Sequence, residues 1–304
     1  MTPPDPASPA RKRDRVGSGV LLALVSSSST QTGAAIGALA FPAIGAIGVV
    51  AVRQLVMTAV LGLFGRPDLR RLSRRHWPMV LGLGLVFVVM NTSIYAAIER
   101  IGLGLAITLE FLGPLAIAIT ASRRLLDIGG ALLAAVGVLV LVQPGPTTDL
   151  LGIGLALTAA VAWAGYILLN RAVGAELPGV QGTAAASIVS GAVWLPLAAL
   201  WFAFHPPRAW AIGLAIVCGL LSSVIPYTVD LIALRRISPA LFSMLTSLHP
   251  VWAAIAGLVI LGQLLTLAEW IGIVLVVLSN AVVALSNARR ARGRPGGRRP
   301  EFVD

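Results

Sequence analysis

The 304-residue chain has few charges, almost no lysine and a single cysteine. Only 12% of its residues are charged, about half the share of a soluble domain. The lone Cys218 excludes an intrachain disulfide and a thiolate metal cluster. Lys12 is the only lysine, so the basic charge is nearly all arginine. His76, His205 and His249 fall at scattered depths and cannot form one metal site. There is no H-E-x-x-H, no phosphate-cradling G-x-x-x-x-G-K-[ST] and no nucleophile elbow. The expectation is therefore no enzyme activity, no metal and no cofactor. Without a nucleotide loop, any active transport must draw on an ion or substrate gradient.

What is present is apolar. The chain is 57% hydrophobic with a mean hydropathy of +0.90. That excludes an ordinary soluble enzyme, a disordered protein and a secreted disulfide scaffold. A spanning helix needs about 20 mostly apolar residues. Ten stretches qualify: 18–40, 44–64, 78–98, 102–121, 127–143, 152–170, 181–204, 210–233, 240–261 and 268–287. They are apolar all round rather than alternating, which fits helices better than barrel strands. The predicted fold is an all-α integral membrane protein with ten transmembrane helices. The first stretch is the least regular, because residues 26–32 form a polar cluster inside it.

The net charge of +11 suggests nucleic acid until its position is considered. Twenty of the 23 basic residues fall on one side, in the termini and the even-to-odd loops. Arg100 and Arg208 lie on the other side, and Arg53 lies inside a helix. Such a bias marks the cytoplasmic side and puts both termini there, in a multi-pass membrane protein. No removed signal peptide is expected. The basic tails, 1–17 and 288–304, are expected to be disordered and to face lipid. No nucleic-acid partner is expected, because no aromatics are interleaved with the arginines.

The chain also repeats itself. A shift of 136 residues, with no gap, places Ala97, Arg100, Ile101, Leu105, Leu109 and Pro114 on Ala233, Arg236, Ile237, Leu241, Leu245 and Pro250. The aligned Arg and Pro carry most of the weight. The shift maps the fourth stretch onto the ninth, so each half holds five helices. An odd number reverses orientation, which predicts two inverted five-helix repeats, 18–143 and 152–287, joined by an external linker, 144–151. Secondary transporters share that plan, with the site near the midplane between the halves.

Charge inside a bilayer is costly and usually functional. Arg53 in the second stretch and Glu110 in the fourth lie at similar depths, roughly 12–14 Å in at about 1.5 Å per residue. Two readings stand. Either they form a structural ion pair, or Arg53 meets a substrate carboxylate while Glu110 meets an ammonium or carries the coupling proton. Pro114 lacks an N–H and frees the carbonyl of Glu110, and Gly113 loosens the same turn. Pro250 does the same for Thr246, beside His249, and Pro226 marks a further break. His249 either hydrogen-bonds a neighbouring helix or serves proton or substrate. Asp230 shares a face with Ser223 and Tyr227 and is expected to pair at the interface with Arg235 or Arg236. Ser26, Thr30, Gly33 and Gly37 form a stripe that either packs closely or lines the path. Gln31, Asn91, Tyr95, Trp163, Tyr166 and Tyr227 offer donors or a ring face for a cation. Glu99 and Glu269 sit at helix ends and are expected to be solvated.

Several short strings are more specific. They are Phe41-Pro42 with Gly48-Val49 and Ala51-x-Arg53; Met90-Asn91; Leu109-Glu110-Phe111-x-Gly113-Pro114-Leu115-Ala116; Ser122-Arg123-Arg124; Trp163-Ala164-x-Tyr166-Ile167-Leu168; and Pro226-Tyr227 followed by Ile232-Ala233-Leu234. On these, residues 18–287 resemble the drug/metabolite transporter superfamily of the EamA type, and most of all its bacterial threonine/homoserine exporter group. The resemblance implies an inverted-repeat bundle with a central cavity. It also implies export of small hydrophilic amino acids in exchange for protons. Two positions depart from the group: His249-Pro250 stands for a Glu-Pro pair, and Gly262-Gln263 for a Gly-Glu. Glu110 is left as the main intramembrane acid. The expected partners are a small-molecule substrate, the proton and membrane lipid, with a monomer or a homodimer both compatible. Export of aromatic amino acids or cationic drugs stands as an alternative, as does, further off, a non-transporting scaffold or lipid-modifying enzyme.

Overall fold

The computed structural model describes residues 9–67, 69, 72–120, 125–142, 149–177, 181–234, 236–237, 242 and 245–292. In lipid each backbone N–H and C=O needs a partner within its own segment, so uninterrupted apolar runs fold as helices. Twelve α-helices are named here: α1 (Pro9–Ala38), α2 (Phe41–Gly65), α3 (Trp77–Ile101), α4 (Leu103–Glu110), α5 (Leu112–Thr120), α6 (Leu125–Val142), α7 (Leu150–Glu176), α8 (Gln181–Phe204), α9 (Ala209–Gly219), α10 (Ile225–Leu234), α11 (His249–Leu261) and α12 (Leu267–Arg292). A π-turn, Leu220–Val224, joins α9 to α10. Taking α4 with α5 and α9 with α10, the chain is an all-α bundle of about ten membrane-spanning units. Among the described residues four helices are long and apolar enough on their own to cross a membrane: α2, α3, residues 150–174 of α7, and α8.

The seventh predicted stretch matches α8 at both ends. The outer helices are longer than predicted. Helix α1 begins at Pro9 and α12 runs to Arg292, so part of each basic tail is helical rather than disordered. Arginine is a good helix former, and the apolar run measures membrane thickness rather than helix length. Residues 1–8 and 293–304, linker residues 144–148, and Arg70, Arg71, Arg123, Arg124 and Arg235 lie outside the described residues.

Large apolar side chains such as Val161, Leu195 and Val259 point outward. The interior is built largely from alanine, including Ala51, Ala97, Ala106, Ala159, Ala215 and Ala253. That distribution suits lipid as the solvent, because small residues let helix backbones approach closely. Helix α2 packs on α8 and α9, α3 on α7 and α8, and α4 on α7 and α11. Helix α6 packs on α12, and α1 on α9, α10 and α11.

Helix α2 is broken near its start. Gly45 has φ 69° and ψ 165°. A Cβ there would meet the Trp201 ring at 3.1 Å. Trp201 Nε1 donates to the Ile44 carbonyl (2.9 Å), and the Ala46 N–H donates to Glu99 Oε1 (3.2 Å). The groups on either side of the break are therefore both satisfied. Glu99 is exposed, as expected, yet it also caps this half-helix. Phe41, Pro42, Glu99, Leu261 and Gln263 line a cavity of about 390 Å³ at this end of the bundle. Glu269 likewise caps α12, accepting from the Thr266 N–H (2.6 Å) and hydroxyl (2.8 Å) in a capping box.

Asp149 caps α7 by accepting from the Gly152 N–H (2.8 Å), and it pairs with Arg100 at 3.0 Å. The Gly152 amide and the Arg100 guanidinium hold its carboxyl below the usual carboxylate range. A lowered folded-state value means that this cap stabilises at neutral pH and is lost as pH falls through that lowered value. Asp149→Asn keeps a capping oxygen and removes the ionisation. We expect its thermal midpoint to change less between pH 7 and pH 3 than that of the wild type. Identical pH profiles in a melting series would contradict the assignment.

Candidate functional site

The middle of the bundle is organised by interrupted helices. Pro114 is the third residue of α5, and Pro250 the second of α11. The first N–H groups of a helix lack intrahelical partners in any case, so proline is tolerated there. Each proline thus starts a new half-helix rather than kinking a continuous one. The turns that separate the half-helices, at Phe111 and at Ser247–Leu248, are related by the 136-residue shift. Gly113 does more than loosen its turn. A Cβ there would lie 2.0 Å from the Ala160 carbonyl oxygen, so α5 meets the α7 backbone directly.

Pro226 produces a different interruption. The Ile225 N–H reaches back five residues to the Leu220 carbonyl. The Leu221 carbonyl therefore loses its usual α-helical donor, and Pro226 has no N–H to offer Ser222. Both carbonyls find partners on other helices. Ser29 Oγ donates to the Leu221 carbonyl (2.8 Å), and Arg53 Nη2 donates to the Ser222 carbonyl (3.2 Å). Ser222 Oγ in turn donates to the Thr30 carbonyl (2.8 Å). This contact is close because Gly33 and Gly37 lie on the facing surface of α1. A Cβ on either would sit within 3 Å of Ser222 or Cys218.

Two groups of side chains result. The first surrounds Arg53. Its Nη1 donates to Asn91 Oδ1, and its Cζ lies 5.0 Å from the centre of the Tyr95 ring. Asn91 is fixed by donating from Nδ2 to the Phe87 carbonyl (2.8 Å). Tyr95 is fixed by a hydrogen bond between its hydroxyl and Cys218 Sγ (3.0 Å). Gln54, fully buried beside Arg53 in sequence, donates to the Phe87 carbonyl (3.2 Å) and Ser190 Oγ (3.0 Å).

The second group surrounds His249. Gln31 Nε2 donates to His249 Nδ1 (3.2 Å), while the buried Gln31 Oε1 has no partner among the described residues. The Phe111 and Trp163 rings meet edge to face with centroids 4.9 Å apart. His249 lies 5.6 Å from Phe111 and 6.3 Å from Trp163. Glu110, 7% exposed, precedes Phe111 at the end of α4.

Among the described residues no salt bridge is found between Arg53 and Glu110. Their charges still attract, so Glu110 lies within electrostatic reach of the guanidinium. Of the two expected partners of Asp230, Arg235 lies outside the described residues and Arg236 forms no salt bridge with it. Its carboxyl takes the Ser26 hydroxyl, and Arg236 donates to Ser18 Oγ (3.1 Å) instead. The Thr30 hydroxyl donates to the Ser26 carbonyl of its own helix (2.9 Å). Tyr166 packs on Phe87 (5.6 Å), among Met57 and Leu83, and its hydroxyl accepts from Asn170 (3.5 Å). The side chain of Tyr227 lies outside the described residues.

Sequence reasoning missed Ser29, Gln54, Phe111 and Ser222. Pro226 held the clue to Ser222, four residues earlier, where a proline always strips a carbonyl of its donor. Gln263, read only as a departure from a Glu, accepts from the Leu103 N–H (3.0 Å) and caps α4. An amide oxygen serves that purpose as well as a carboxylate.

The pattern of the EamA-like transporter family matches residues 150–285. The chain is 35% identical over 257 residues to threonine/homoserine exporter RhtA of Salmonella typhimurium (strain SL1344), covering 81% of this chain and 84% of that one. It is 36% identical over 251 residues to the protein of the same name from Escherichia coli (strain K12), with the same coverage. A solved crystal structure superposes at a TM-score of 0.59 with 22% identity, covering 91% of this chain and 99% of that one, and so shares the fold. A half-buried arginine, a buried acid and paired helix breaks thus sit in a chain similar along most of its length to proteins named as exporters, and the protein belongs to the EamA-type drug/metabolite transporter family, close to its threonine/homoserine exporters.

Proposed function

We propose that this protein exports small hydrophilic amino acids, threonine and homoserine among them, in exchange for protons by alternating access. The observation that carries the reading is that a guanidinium and a buried carboxyl of opposite charge come together in the middle of the bundle. Arg53 is oriented by Asn91, Tyr95 and the Ser222 carbonyl. Glu110 lies within electrostatic reach of it, beside Phe111. A zwitterionic amino acid fits such a pair, its carboxylate on Arg53 and its ammonium on Glu110 or the Gln31 amide oxygen. Substrate enters from the cytoplasm and leaves outside, and an external proton on Glu110 favours return. His249, Trp163 and Phe111 line the ammonium side, and His249 is a second candidate for the proton.

The packing supports two inverted repeats. Let the membrane units be numbered 1 to 10 along the chain. Adding five to each turns contacts 2–7, 4–9 and 5–10 into themselves, 1–8 into 3–6, 1–9 into 4–6 and 2–8 into 3–7. All of these contacts are present. Gln54 and Ser190, which are hydrogen-bonded, are 136 residues apart, as equivalent positions on a pseudo-twofold axis would be. In this reading both termini face the cytoplasm of a bacterial cell and the helices cross its inner membrane, as the arginine distribution suggests.

The test is threonine uptake into everted vesicles under an imposed pH gradient. We expect Glu110→Gln to abolish the gradient-driven part while the protein remains folded. Wild-type uptake by Glu110→Gln would sink the coupling role. A panel with aromatic amino acids and cationic drugs, in liposomes, identifies the cargo.

A further inference from the structure

We propose that Ser29 and Pro226 are positioning residues for Arg53: together they hold the Leu220–Val224 turn open, so that the Ser222 carbonyl faces the guanidinium and orients it for the carboxylate of the substrate. This rests on the reading of Arg53 as the carboxylate-binding residue.

The argument begins with the backbone. A π-turn is rare compared with regular α-helix and is found frequently at functional sites. Here it persists because its displaced carbonyls are satisfied from outside. Ile225 bonds Leu220, so Leu221 needs a donor, and Ser29 Oγ supplies one at 2.8 Å. Pro226 cannot serve Ser222, and Arg53 Nη2 does so at 3.2 Å. The hydroxyl of Ser222 returns a bond to the Thr30 carbonyl, next in sequence to Ser29. Adjacent residues of α1 therefore grip adjacent residues of the turn. Gly33 admits this contact, since any side chain there would strike Ser222 and Leu221.

The consequence concerns charge. Asn91 Oδ1, the Tyr95 ring and the Ser222 carbonyl are neutral partners. These contacts fix the plane of the guanidinium and add no negative charge of their own, and a buried carboxylate is best met by such an oriented donor. A carboxylate in place of the Ser222 carbonyl would oblige the guanidinium to release a charge-assisted bond of its own before binding substrate. A proline that exposes a backbone oxygen avoids this.

The test uses the full chain in proteoliposomes with radiolabelled L-threonine. Removing a clamp worth about one hydrogen bond should raise KM about fivefold in Ser29→Ala, with the maximal rate within about twofold. Ser29→Thr retains the hydroxyl and should restore the wild-type KM. Pro226→Ala returns an N–H to the helix and should raise KM in the same way without lowering the thermal midpoint. A purely structural role would lower the yield of folded protein and leave KM alone. Unchanged KM in Ser29→Ala, or a Ser29→Thr protein as defective as Ser29→Ala, overturns the proposal. If Pro226→Ala fails to fold, the two Ser29 variants decide.

A wild type that moves neither threonine nor homoserine sinks the amino-acid reading instead. The positioning is then read from Cys218, the only cysteine, fully buried two residues before the turn and bonded to Tyr95. Without substrate, N-ethylmaleimide should label Cys218 severalfold faster in Ser29→Ala than in wild type or Ser29→Thr. Equal rates in all three overturn the proposal.

Discussion

Replacing Arg53 by alanine is expected to raise the KM for threonine roughly a hundredfold, the effect of about 3 kcal/mol lost from a desolvated charge-assisted contact. The size follows from where the guanidinium sits. It lies near mid-depth of α2, held between Asn91 of α3 and the Ser222 carbonyl, with the Tyr95 ring at 5.0 Å. In that setting water does not replace the lost donor, so the substrate carboxylate would be buried unpaired. Arg53→Lys keeps the charge but not the planar fork. A lysine cannot reach Asn91 and Ser222 together while stacking on Tyr95, so an intermediate loss of roughly tenfold is expected. Size-exclusion profiles of both variants separate this from misfolding. A KM for Arg53→Ala within about twofold of wild type would remove Arg53 from the binding site.

Gly113→Ala is the second large effect, and it falls on folding rather than binding. The added Cβ would meet the Ala160 carbonyl oxygen at 2.0 Å and its carbonyl carbon at 2.8 Å. Both belong to the α7 backbone, so no rotamer change relieves the clash and the two helices must separate. Overpacking of this kind costs about 3 kcal/mol or more. The expected result is a thermal midpoint lower by several degrees and a reduced yield of monodisperse protein. Gly154→Ala is the control, because a Cβ at that position of α7 meets nothing within 4 Å. Alanine there should be neutral or stabilising, since it favours a helix interior by about 1 kcal/mol over glycine. Equal melting of Gly113→Ala and wild type would show that α5 does not seat on Ala160.

These two positions also show how far the sequence could be read. Apolar run length located α3 and α8 to within a few residues, because a membrane imposes one thickness on every span. Proline located the breaks at Pro114, Pro226 and Pro250, because a missing N–H is a local property. The break at Gly45 had no such mark. It depends on Trp201 and Glu99, far along the chain, to satisfy Ile44 and Ala46. The caps supplied by Gln263 and the clamp supplied by Ser29 are equally non-local. Depth along a helix axis placed Arg53 and Glu110 at one level, but the rotation of α2 and α4 about their axes decides what each meets. Hydropathy carries no record of that rotation.

The pairing of early helices with late ones also sets a timetable for biogenesis. Gln54 finds Ser190, and Arg53 finds Ser222, 136 and 169 residues further on. At ordinary rates of translation those partners emerge roughly 10–30 s after α2. For that interval α2 holds Arg53 and Gln54 in the bilayer without α8 and α9, two of the helices it packs on. The nascent protein therefore has a waiting period in which these two polar side chains of α2 lack those partners, and an insertase or quality-control protease would meet it in that state.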